Sequence, residues 1–402
     1  MTATHEHAVP SCDAVVAGHI CLDIIPLIAG IAPEEFQRSF GPGRLLQVGP
    51  AALATGGPVS NTGLALHKLG VPTQLMGKIG DDLFGQAIKQ IVAGFDPRLS
   101  AGMIVDPAAN TSYTVVINPP GLDRTFLHCP GANDTFSAAD VRYDLVAGAR
   151  LFHFGYPPLM KMMYAGDGTE LVEIFRRAKA TGVTTSLDMA LPDPASAGGR
   201  ADWVRILRGT LPYVDLFLPS IEEILYMLRR DLYGDLTRAA AGGDLLPAVT
   251  PQLLHEVSDE LLAMGAKVVA LKLGHRGLYL RTAAKAVLEH LGRARPVDYA
   301  AWANRELWIP CFQAEVVGTT GAGDSTIAGF HSALLRDFSP EDAVTAAVAV
   351  GGCNVEAASA LGSLRSWDET LRRVAEGWSR HPLVLDAPGW RFDDSKRVWR
   401  GD

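Results

Sequence analysis

The residues whose types and spacing best suit a chemical function form a glycine-rich run at 318–325, in a chain of 402 residues. The run reads Gly-Thr-Thr-Gly-Ala-Gly-Asp-Ser. Its spacing has the outline of a phosphate-binding loop, but Asp324 stands where such a loop carries lysine. A carboxylate beside phosphate is repelled unless magnesium intervenes or the carboxylate accepts a proton. The run therefore predicts phosphoryl transfer to a hydroxyl, and a tight turn capped by Asp324 is the structural alternative.

The segments on either side of this run predict the elements that position it. The apolar residues 311–317 indicate a strand before it, and Ile327, Phe330 and Leu334 recur at helical spacing after it. Pro340 is expected to end that helix. The amides of residues 321–323 would then lie at a helix N-terminus, where the helix dipole favours an anion.

The rest of the chain alternates between strand-like and helix-like patterns. The strand-like runs are 13–22, 72–79, 149–154, 183–187, 216–218 and 267–273, and the helical patterns include 61–69, 83–95, 169–180 and 221–229. This alternation predicts an α/β fold with a mostly parallel, doubly wound sheet. Ligands bind such sheets at the carboxyl ends of the strands. Asp23, Asp188 and the glycine-rich run all follow predicted strands, so we expect them in one crevice.

Three segments depart from this alternation. Residues 111–117 and 124–128, joined by 118–123, are typical of a β-hairpin, which we expect to form a flap outside the main sheet. Segments 231–255 and 281–307 lack clear periodicity and are interpreted as surface insertions.

Composition limits the class of protein. A net charge of −8 disfavours a general nucleic-acid binder, and 48% hydrophobic residues fit a globular enzyme. The five cysteines form no CxxC pair, the N-terminus lacks a secretory pattern, and no apolar run is long enough for a membrane span. We therefore expect a cytoplasmic protein without a membrane or nucleic-acid partner.

Two signatures resemble those of the ribokinase-like, or PfkB, carbohydrate kinases. Residues 56–63, 69–70 and 77–85 are similar to the N-terminal signature of that family, and residues 318–329 are similar to its C-terminal signature. The resemblance covers most of residues 13–365. It implies a three-layer α/β/α kinase domain whose small β lid uses parts of about 24–55 and 105–130. Residues 366–402 would form a C-terminal extension packed on or near the core.

The resemblance also implies ATP as the donor, magnesium, a small sugar or sugar acid as the acceptor, and a possible homodimer through the lid. It makes Asp324 the catalytic base and Gly321, Ala322 and Gly323 the anion hole. The implied acceptor-binding residues are Asp23, Gly57, Asn61, Arg124 and Asn133. The implied nucleotide-binding residues are Lys272, Gly274, Gly277, Thr319 and Asn354.

Two positions depart from the family pattern. The element that organises magnesium in the family has Ser220 here in place of asparagine. The implied metal-binding residues are the retained Glu223, which would hold the ion through water, and Ser220. Gly318 stands where many relatives have an aspartate, which leaves potassium activation open.

Other functions remain to be weighed. A nucleoside kinase would use Tyr113, Phe126 or Tyr156 against the base, and a non-catalytic sugar- or nucleotide-binding regulator could share the fold. A dinucleotide oxidoreductase is disfavoured because residues 17–21 lack GxGxxG. The scattered histidines show no metal spacing and are expected in core or surface roles, namely His19, His128, His153 and His331.

Overall fold

The computed structural model describes residues 12–122, 125–241 and 243–402. The strands, in chain order, are β1 (Ala14–Gly18), β2 (Cys21–Pro26), β3 (Ala51–Gly56), β4 (Thr73–Gly80), β5 (Ile104–Asp106), β6 (Tyr113–Ile117), β7 (Thr125–Cys129), β8 (Leu151–Gly155), β9 (Thr184–Asp188), β10 (Leu216–Phe217), β11 (Val268–Lys272), β12 (Leu278–Thr282), β13 (Glu306–Ile309), β14 (Trp390–Asp393) and β15 (Val398–Gly401).

Helices connect most of these strands. In chain order they are α1 (Pro33–Ser39), α2 (Pro58–Lys68), α3 (Leu83–Ala93), α4 (Tyr143–Gly148), α5 (Lys161–Tyr164), α6 (Thr169–Ala180), α7 (Ala197–Arg200), α8 (Trp203–Thr210), α9 (Ile221–Leu228), α10 (Arg230–Ala239), α11 (Pro251–Ala263), α12 (Lys285–Leu288), α13 (Tyr299–Trp302), α14 (Ala322–Leu335), α15 (Pro340–Asn354) and α16 (Trp367–Ala375).

The central sheet has the order β14-β15-β13-β12-β11-β10-β9-β8-β1-β4-β5 in the described part of the chain. The pairings from β5 through β11 are parallel, and those from β11 to β14 are antiparallel. The predicted α/β fold with a mostly parallel sheet is therefore confirmed. The parallel strands point their carboxyl ends at one edge, which is where this topology places a ligand crevice.

The inner strands of this sheet are buried on both faces, and most of their residues are apolar, with buried polar exceptions such as Gln74, Lys78 and Ser186. In β1, Val15 and Ala17 pack into one core with residues of α6, α8 and α11, while Ala14 and Val16 pack into a second core with residues of α2, α14 and α15. Helices on both faces of one sheet give the expected three layers.

A second sheet, with the order β3-β2-β6-β7, forms the lid. One face carries the cross-strand row Ala54–Asp23–Thr114–His128, and the next row, Leu53–Ile24–Val115–Leu127, lies on the opposite face because side chains alternate along a strand. The hairpin predicted outside the main sheet is formed by β6 and β7, and it pairs with β2.

Three local predictions were wrong. The run 13–22 forms two strands, because the chain leaves the central sheet after Gly18 and enters the lid at Cys21; Asp23 thus lies within β2 rather than at the end of the first strand. Residues 311–317 form no strand, because β13 ends at Ile309 before Pro310. Pro340 begins α15 and does not end α14, which stops at Leu335.

The two predicted surface insertions are integral to the core. Segment 281–307 includes the end of β12 and the start of β13, and it buries Leu288, Leu291, Ala294 and Trp302. Segment 231–255 runs from α10 into α11 and buries Leu245, Leu246, Val249 and Leu254. Their short elements and irregular spacing conceal this burial from a search for periodicity.

The end of the chain lies on the central sheet. Strand β15 pairs with β13, and β14 pairs with β15 to form the sheet edge. Val398 is buried within the core on one side of the sheet, and Leu385 is buried on the other. Among the described helices, none has the length and apolar character needed to cross a bilayer.

Candidate active site

Asp324 lies at the start of α14, where it is 2% exposed and accepts three hydrogen bonds. Asn61 Nδ2 donates to Oδ2 at 3.1 Å, Tyr156 Oη donates to the same oxygen at 2.9 Å, and Thr62 Oγ1 donates to Oδ1 at 3.1 Å. Asn61 and Thr62 are in the first turns of α2, and Tyr156 directly follows β8. Donors from α2 and from the end of β8 therefore fix this one carboxylate.

Two opposing effects set the pKa of Asp324. Burial raises the pKa above its ordinary value of 3.8, while Lys272 and the donors Asn61, Tyr156 and Thr62 each lower it. The balance is a raised pKa, which makes the ionised carboxylate a better proton acceptor than a free aspartate.

Tyr156 reaches Asp324 through an unusual backbone conformation. Its φ of 63° is in the left-handed region, which a bulky residue seldom adopts. Its amide donates to the carbonyl oxygen of Asp188 at 3.3 Å. Burial raises the pKa of the phenol well above 10, so the hydroxyl stays protonated and donates. Strained residues of this kind concentrate at functional sites.

The glycine loop, residues 318–323, leads directly into α14. Gly321 precedes the first helical residue with φ of 72°, and a β-carbon there would lie 2.7 Å from Cβ of Ala360. Ala322 N donates to Thr319 O at 3.2 Å, which places Thr319 in the turn itself. The amides of residues 321–323 thus lie at the N-terminus of a 14-residue helix, as predicted.

Lys272, at the carboxyl end of β11, is the cation beside this loop. A β-carbon at Gly323 would lie 3.6 Å from Lys272 Nζ, and Nζ contacts Asp188 Oδ1 at 2.5 Å. Burial acts to lower the pKa of Lys272, but attraction to Asp188, Glu223 and Asp324 outweighs it and raises the pKa. Lys272 is therefore a fixed positive charge next to Gly323 of the glycine loop.

Ser220 and Glu223 together cap the N-terminus of α9. Glu223 N donates to Ser220 Oγ at 3.2 Å, and Ser220 N donates to Glu223 Oε2 at 2.7 Å. This reciprocal pair is a capping box. Ser220 and Glu223 therefore both take part in a helix cap, and their contact with a metal ion stays a prediction; one carboxylate oxygen of Glu223 remains outside the capping pair.

The charge around Lys272 fits a divalent cation. Asp188, Glu223 and Asp324 all act on this single ammonium group, and Asp188 Oδ2 is buried without a hydrogen-bond partner. Burial raises the pKa of Asp188 to about 8, and the nearby carboxylates of Glu223 and Asp324 add to this increase, while Lys272 opposes it. No group of three or more metal-ligating side chains occurs in the described residues, and magnesium binding here stays a prediction.

The lid contributes a second set of polar groups near Asp324. Asp23 is partly buried on β2, and Thr114 Oγ1 lies 2.9 Å from His128 Nδ1. His128 Nε2 lies 3.5 Å from His19 Nε2, which belongs to the loop after β1. His19 therefore bridges the core and the lid at the same crevice.

Gly57 and Asn61 lie under this crevice. Gly57 has φ of 86°, and a β-carbon there would lie 2.5 Å from the carbonyl oxygen of His19, so the position requires glycine. The buried Oδ1 of Asn61 and Nδ1 of His19 have no hydrogen-bond partner. Two unpaired buried polar atoms, one of them on the residue that donates to Asp324, point to a polar ligand.

Other predicted site residues lie elsewhere. Asn133 is fully buried, and its amide exchanges two hydrogen bonds with the backbone of Ile20, so it joins the lid hinge to the core instead of facing the crevice. Asn354 is likewise buried and donates to Ala360 O, which holds the loop that packs on Gly321. Arg124 lies outside the described residues.

Gly274 and Gly277 form the turn between β11 and β12, close to Lys272. Both have positive φ, of 51° and 96° respectively. His275 is exposed in this turn, but Arg276 donates to the carbonyl oxygen of Val249 at 2.7 Å. The glycines set the path of the chain beside Lys272, and their contact with a nucleotide stays a prediction.

A family model described as "pfkB family carbohydrate kinase" matches residues 15–367. The chain belongs to this family. Like other PfkB carbohydrate kinases it is a phosphotransferase, and the resemblance of the two signatures is confirmed.

Individual relatives agree with this assignment. The chain is 24% identical over 333 residues to the probable chloroplastic fructokinase-6 of Arabidopsis thaliana, covering 81% of this chain and 71% of that protein. Arabidopsis thaliana ribokinase complexed with ribose and ATP has a TM-score of 0.65 at 19% identity, with 90% of this chain and 98% of that chain covered. Fructokinase with bound ATP from Xylella fastidiosa gives a TM-score of 0.65 at 19% identity and the same coverage.

Sequence reasoning missed several residues of this kinase site. Thr62 is adjacent to Asn61 at the start of α2, so helical geometry could have included it. Tyr156 was named only as a contact for a nucleoside base. Its hydrogen bond to Asp324, like the contact of His128 with His19, depends on residues far apart in the chain and has no local signal. His19 is buried, as expected of a core histidine, and it contacts His128 of the lid. His153 and His331 are core residues, linked through Ser186 at 2.9 and 3.0 Å.

Proposed function

We propose that this kinase transfers the γ-phosphate of ATP to a hydroxyl of a small sugar or sugar acid. The observation that carries the proposal is the buried Asp324 carboxylate, held by three donors beside a helix N-terminus and Lys272. A carboxylate placed there accepts a proton while the adjacent amides and ammonium group receive the phosphoryl charge. Relatives named fructokinase and ribokinase support a sugar as acceptor.

The proposed reaction assigns one task to each group. Asp324 Oδ accepts the proton of the acceptor hydroxyl as the acceptor oxygen forms its bond to the γ-phosphorus. The bond between that phosphorus and the bridging oxygen breaks, and ADP leaves. The amides of residues 321–323 and the ammonium of Lys272 stabilise the charge on the transferring group. Asp188 and Glu223 would hold magnesium through its waters, and the ion would neutralise phosphate charge.

On the acceptor side, we propose that Asp23 and Asn61 hydrogen-bond to sugar hydroxyls, with Gly57 allowing close approach. His128 forms the lid side of this pocket. Burial and the neighbouring His128 lower the pKa of His19 to about 3, so His19 is neutral at physiological pH. A pocket of carboxylates and neutral imidazole groups suits a polyhydroxylated ligand, because hydroxyls can donate to the former and accept from or donate to the latter.

Replacing His128 tests this pocket. We expect His128→Ala to raise the KM for the acceptor about tenfold, as loss of one hydrogen bond of about 1.4 kcal/mol would do, with little change in the KM for ATP. Steady-state kinetics with each substrate varied in turn measure both constants. The exposed His290, on the opposite end of the sheet beside α12, provides the control His290→Ala. An unchanged acceptor KM in His128→Ala would contradict the proposed role of the lid in acceptor recognition.

Replacing Tyr156 should shift the pH dependence of kcat in a defined direction. Its hydroxyl stabilises the ionised form of Asp324 and so lowers the pKa of that carboxyl. In Tyr156→Phe the pKa of Asp324 should rise, so the acidic limb of kcat should move to higher pH by about one unit. Tyr279 donates to the buried Glu306 at 2.7 Å outside the site, which makes Tyr279→Phe a matched control without such a shift. A limb that moves to lower pH would contradict the assignment.

The acceptor can be identified directly. Magnesium-dependent ADP release should be measured across sugars, sugar acids and nucleosides, with Asp324→Asn as control. Turnover on a sugar that the variant abolishes would establish the proposed reaction. Phe126, on the same face of β7 as His128 and 56% exposed, favours the nucleoside alternative because it could stack on a base. Turnover on a nucleoside alone would select that alternative, and nucleotide binding without any turnover would select the regulator.

We also propose that the lid mediates a homodimer. Leu53 and Leu127 end one apolar cross-strand row on the face away from the crevice, and they are 54% and 55% exposed. Edge strands with exposed apolar side chains are prone to pair with another copy. Leu127→Glu should shift the protein from dimer to monomer in sedimentation velocity, whereas Leu191→Glu, at a leucine 44% exposed elsewhere, should not. A monomeric wild-type protein at micromolar concentration would contradict this proposal.

A further inference from the structure

The residues beyond the family match contact the segments on both sides of the glycine loop. The family model ends at residue 367, within the first turn of α16, and the chain continues to residue 402. Two parts of this C-terminal segment, residues 373 and 378–381, lie against residues 311–313 and 352–356. Those two stretches lead into the glycine loop and into the loop that packs on it.

In the first contact, the backbone of residues 311–313 pairs with the backbone of residues 379–381. Gln313 N donates to Ser379 O at 2.8 Å, and His381 N donates to Cys311 O at 2.9 Å. Trp378 Nε1 also donates to Gln313 O at 2.6 Å. The segment that connects β13 to the glycine loop is thus paired with the C-terminal segment instead of with the central sheet.

The second contact is an aromatic and cationic stack. The rings of Phe312 and Trp378 are stacked with centroids 4.5 Å apart, and the guanidinium of Arg373 lies 3.5 Å from the centroid of the Trp378 ring. A β-carbon at Gly352 would lie 3.0 Å from Trp378 Cη2, so Trp378 also packs closely on α15. Trp378 therefore fills the space between the 311–313 segment and α15.

Arg373 extends this contact to the loop after α15. Its two terminal nitrogens donate to Glu356 Oε2 at 2.9 Å and to Oε1 at 2.6 Å. The neighbouring Val355 O accepts hydrogen bonds from Val317 N at 2.8 Å and from Gly318 N at 3.2 Å. Trp378 thus holds the 311–313 segment and Arg373 holds the loop after α15, and these are the two segments whose pairing sets the start of the glycine loop.

We propose that Trp378 and Arg373 are positioning residues for the glycine loop, so that the C-terminal segment takes part in ATP use although it lies outside the family match. Charge stabilisation at an anion site depends on donors held in place before reaction, since reorienting them costs free energy. The proposal rests on the function assigned to residues 321–323 above. Neither Trp378 nor Arg373 is proposed to contact the acceptor.

The test compares Trp378→Ala and Arg373→Ala with Phe392→Ala. Phe392 belongs to the same C-terminal segment, but it lies in the edge strand β14 and packs at a tilt on Trp399 with centroids 5.4 Å apart. At a temperature well below unfolding, we expect kcat/KM for ATP to fall about tenfold in the first two variants, as expected when anion-hole donors lose their alignment, while the acceptor KM is unchanged. Trp378→Phe should restore most of the rate because it retains the stack.

Hydrogen exchange supplies a readout that does not depend on turnover. Amides of residues 316–323 should exchange faster in Trp378→Ala than in the wild type, and should be unchanged in Phe392→Ala. Wild-type kinetics and exchange in Trp378→Ala, with only a lower melting temperature, would overturn the positioning role. Failure of the proposed function is separate: it would appear as turnover retained in Asp324→Asn, whatever Trp378→Ala does.

Discussion

Asp324→Asn is expected to lower kcat by about 10²- to 10⁴-fold, the range associated with loss of a general base. Asparagine has nearly the same shape and can still occupy the position between Asn61, Thr62 and Tyr156, but it accepts no proton. ATP binding should therefore persist, because the amides of residues 321–323 and Lys272 are unchanged. Stopped-time ADP assays and calorimetric ATP titration measure the two properties separately.

A matched control strengthens this result. Asp202 also lies at a helix N-terminus, where its Oδ1 accepts from Arg205 N at 3.0 Å in α8, and it has no contact with the crevice. Asp202→Asn removes the charge of a capping carboxylate and should leave kcat within a factor of about two, since exposed caps contribute mainly to stability. Comparable turnover in Asp324→Asn and the wild type would exclude Asp324 as the base.

Replacing Lys272 should produce the second largest effect. Lys272→Met removes the ammonium beside Gly323 and is expected to lower kcat/KM for ATP by about 10²- to 10³-fold, as loss of a preorganised charge partner does. It also leaves Asp188 buried without its partner, which destabilises the fold. Kinetics must therefore be read together with thermal unfolding.

Two further variants separate the chemical from the structural effect. The double variant Lys272→Met with Asp188→Asn removes both charges, so it should recover stability without recovering rate. Lys267 forms a similar buried ion pair with Asp215 at 2.6 Å, at the opposite end of β11. Lys267→Met should lower the melting temperature with kcat/KM for ATP intact. Equal rate losses in the Lys267 and Lys272 variants would assign the effect to stability alone.

The sequence predicted the parts of this site that are local in the chain. The glycine loop and the start of α14 are contiguous, so composition and helical spacing were sufficient to place them. The carboxyl ends of β9 and β11 followed from strand patterns, which located Asp188 and Lys272 correctly in the crevice. Their ion pair, at 2.5 Å, could not be predicted from the sequence because it depends on the spacing of two non-consecutive strands.

Partners distant in sequence account for what could not be predicted. Residues 311–317 have a strand-like composition, yet the pairing partner is the C-terminal segment, seen in the bridge between Phe312 and Arg380. Tyr156 contacts Asp324 across 168 positions in the chain through a left-handed backbone conformation that no local pattern indicates. The buried amides of Asn133 and Asn354 bond to the backbone of Ile20 and Ala360, and no local pattern indicates either contact.

Side chains alternate between the two faces of the lid sheet, and this limits how the preference for an acceptor can change. Asp23, Thr114 and His128 share one face only because β2, β6 and β7 pair in the observed register. A one-residue deletion within β6 would bring aliphatic side chains opposite Asp23 and His128, since each strand residue points away from the side of its neighbours. Insertions and deletions in the lid strands should therefore abolish acceptor binding altogether, and new preferences should arise through substitutions that preserve strand length.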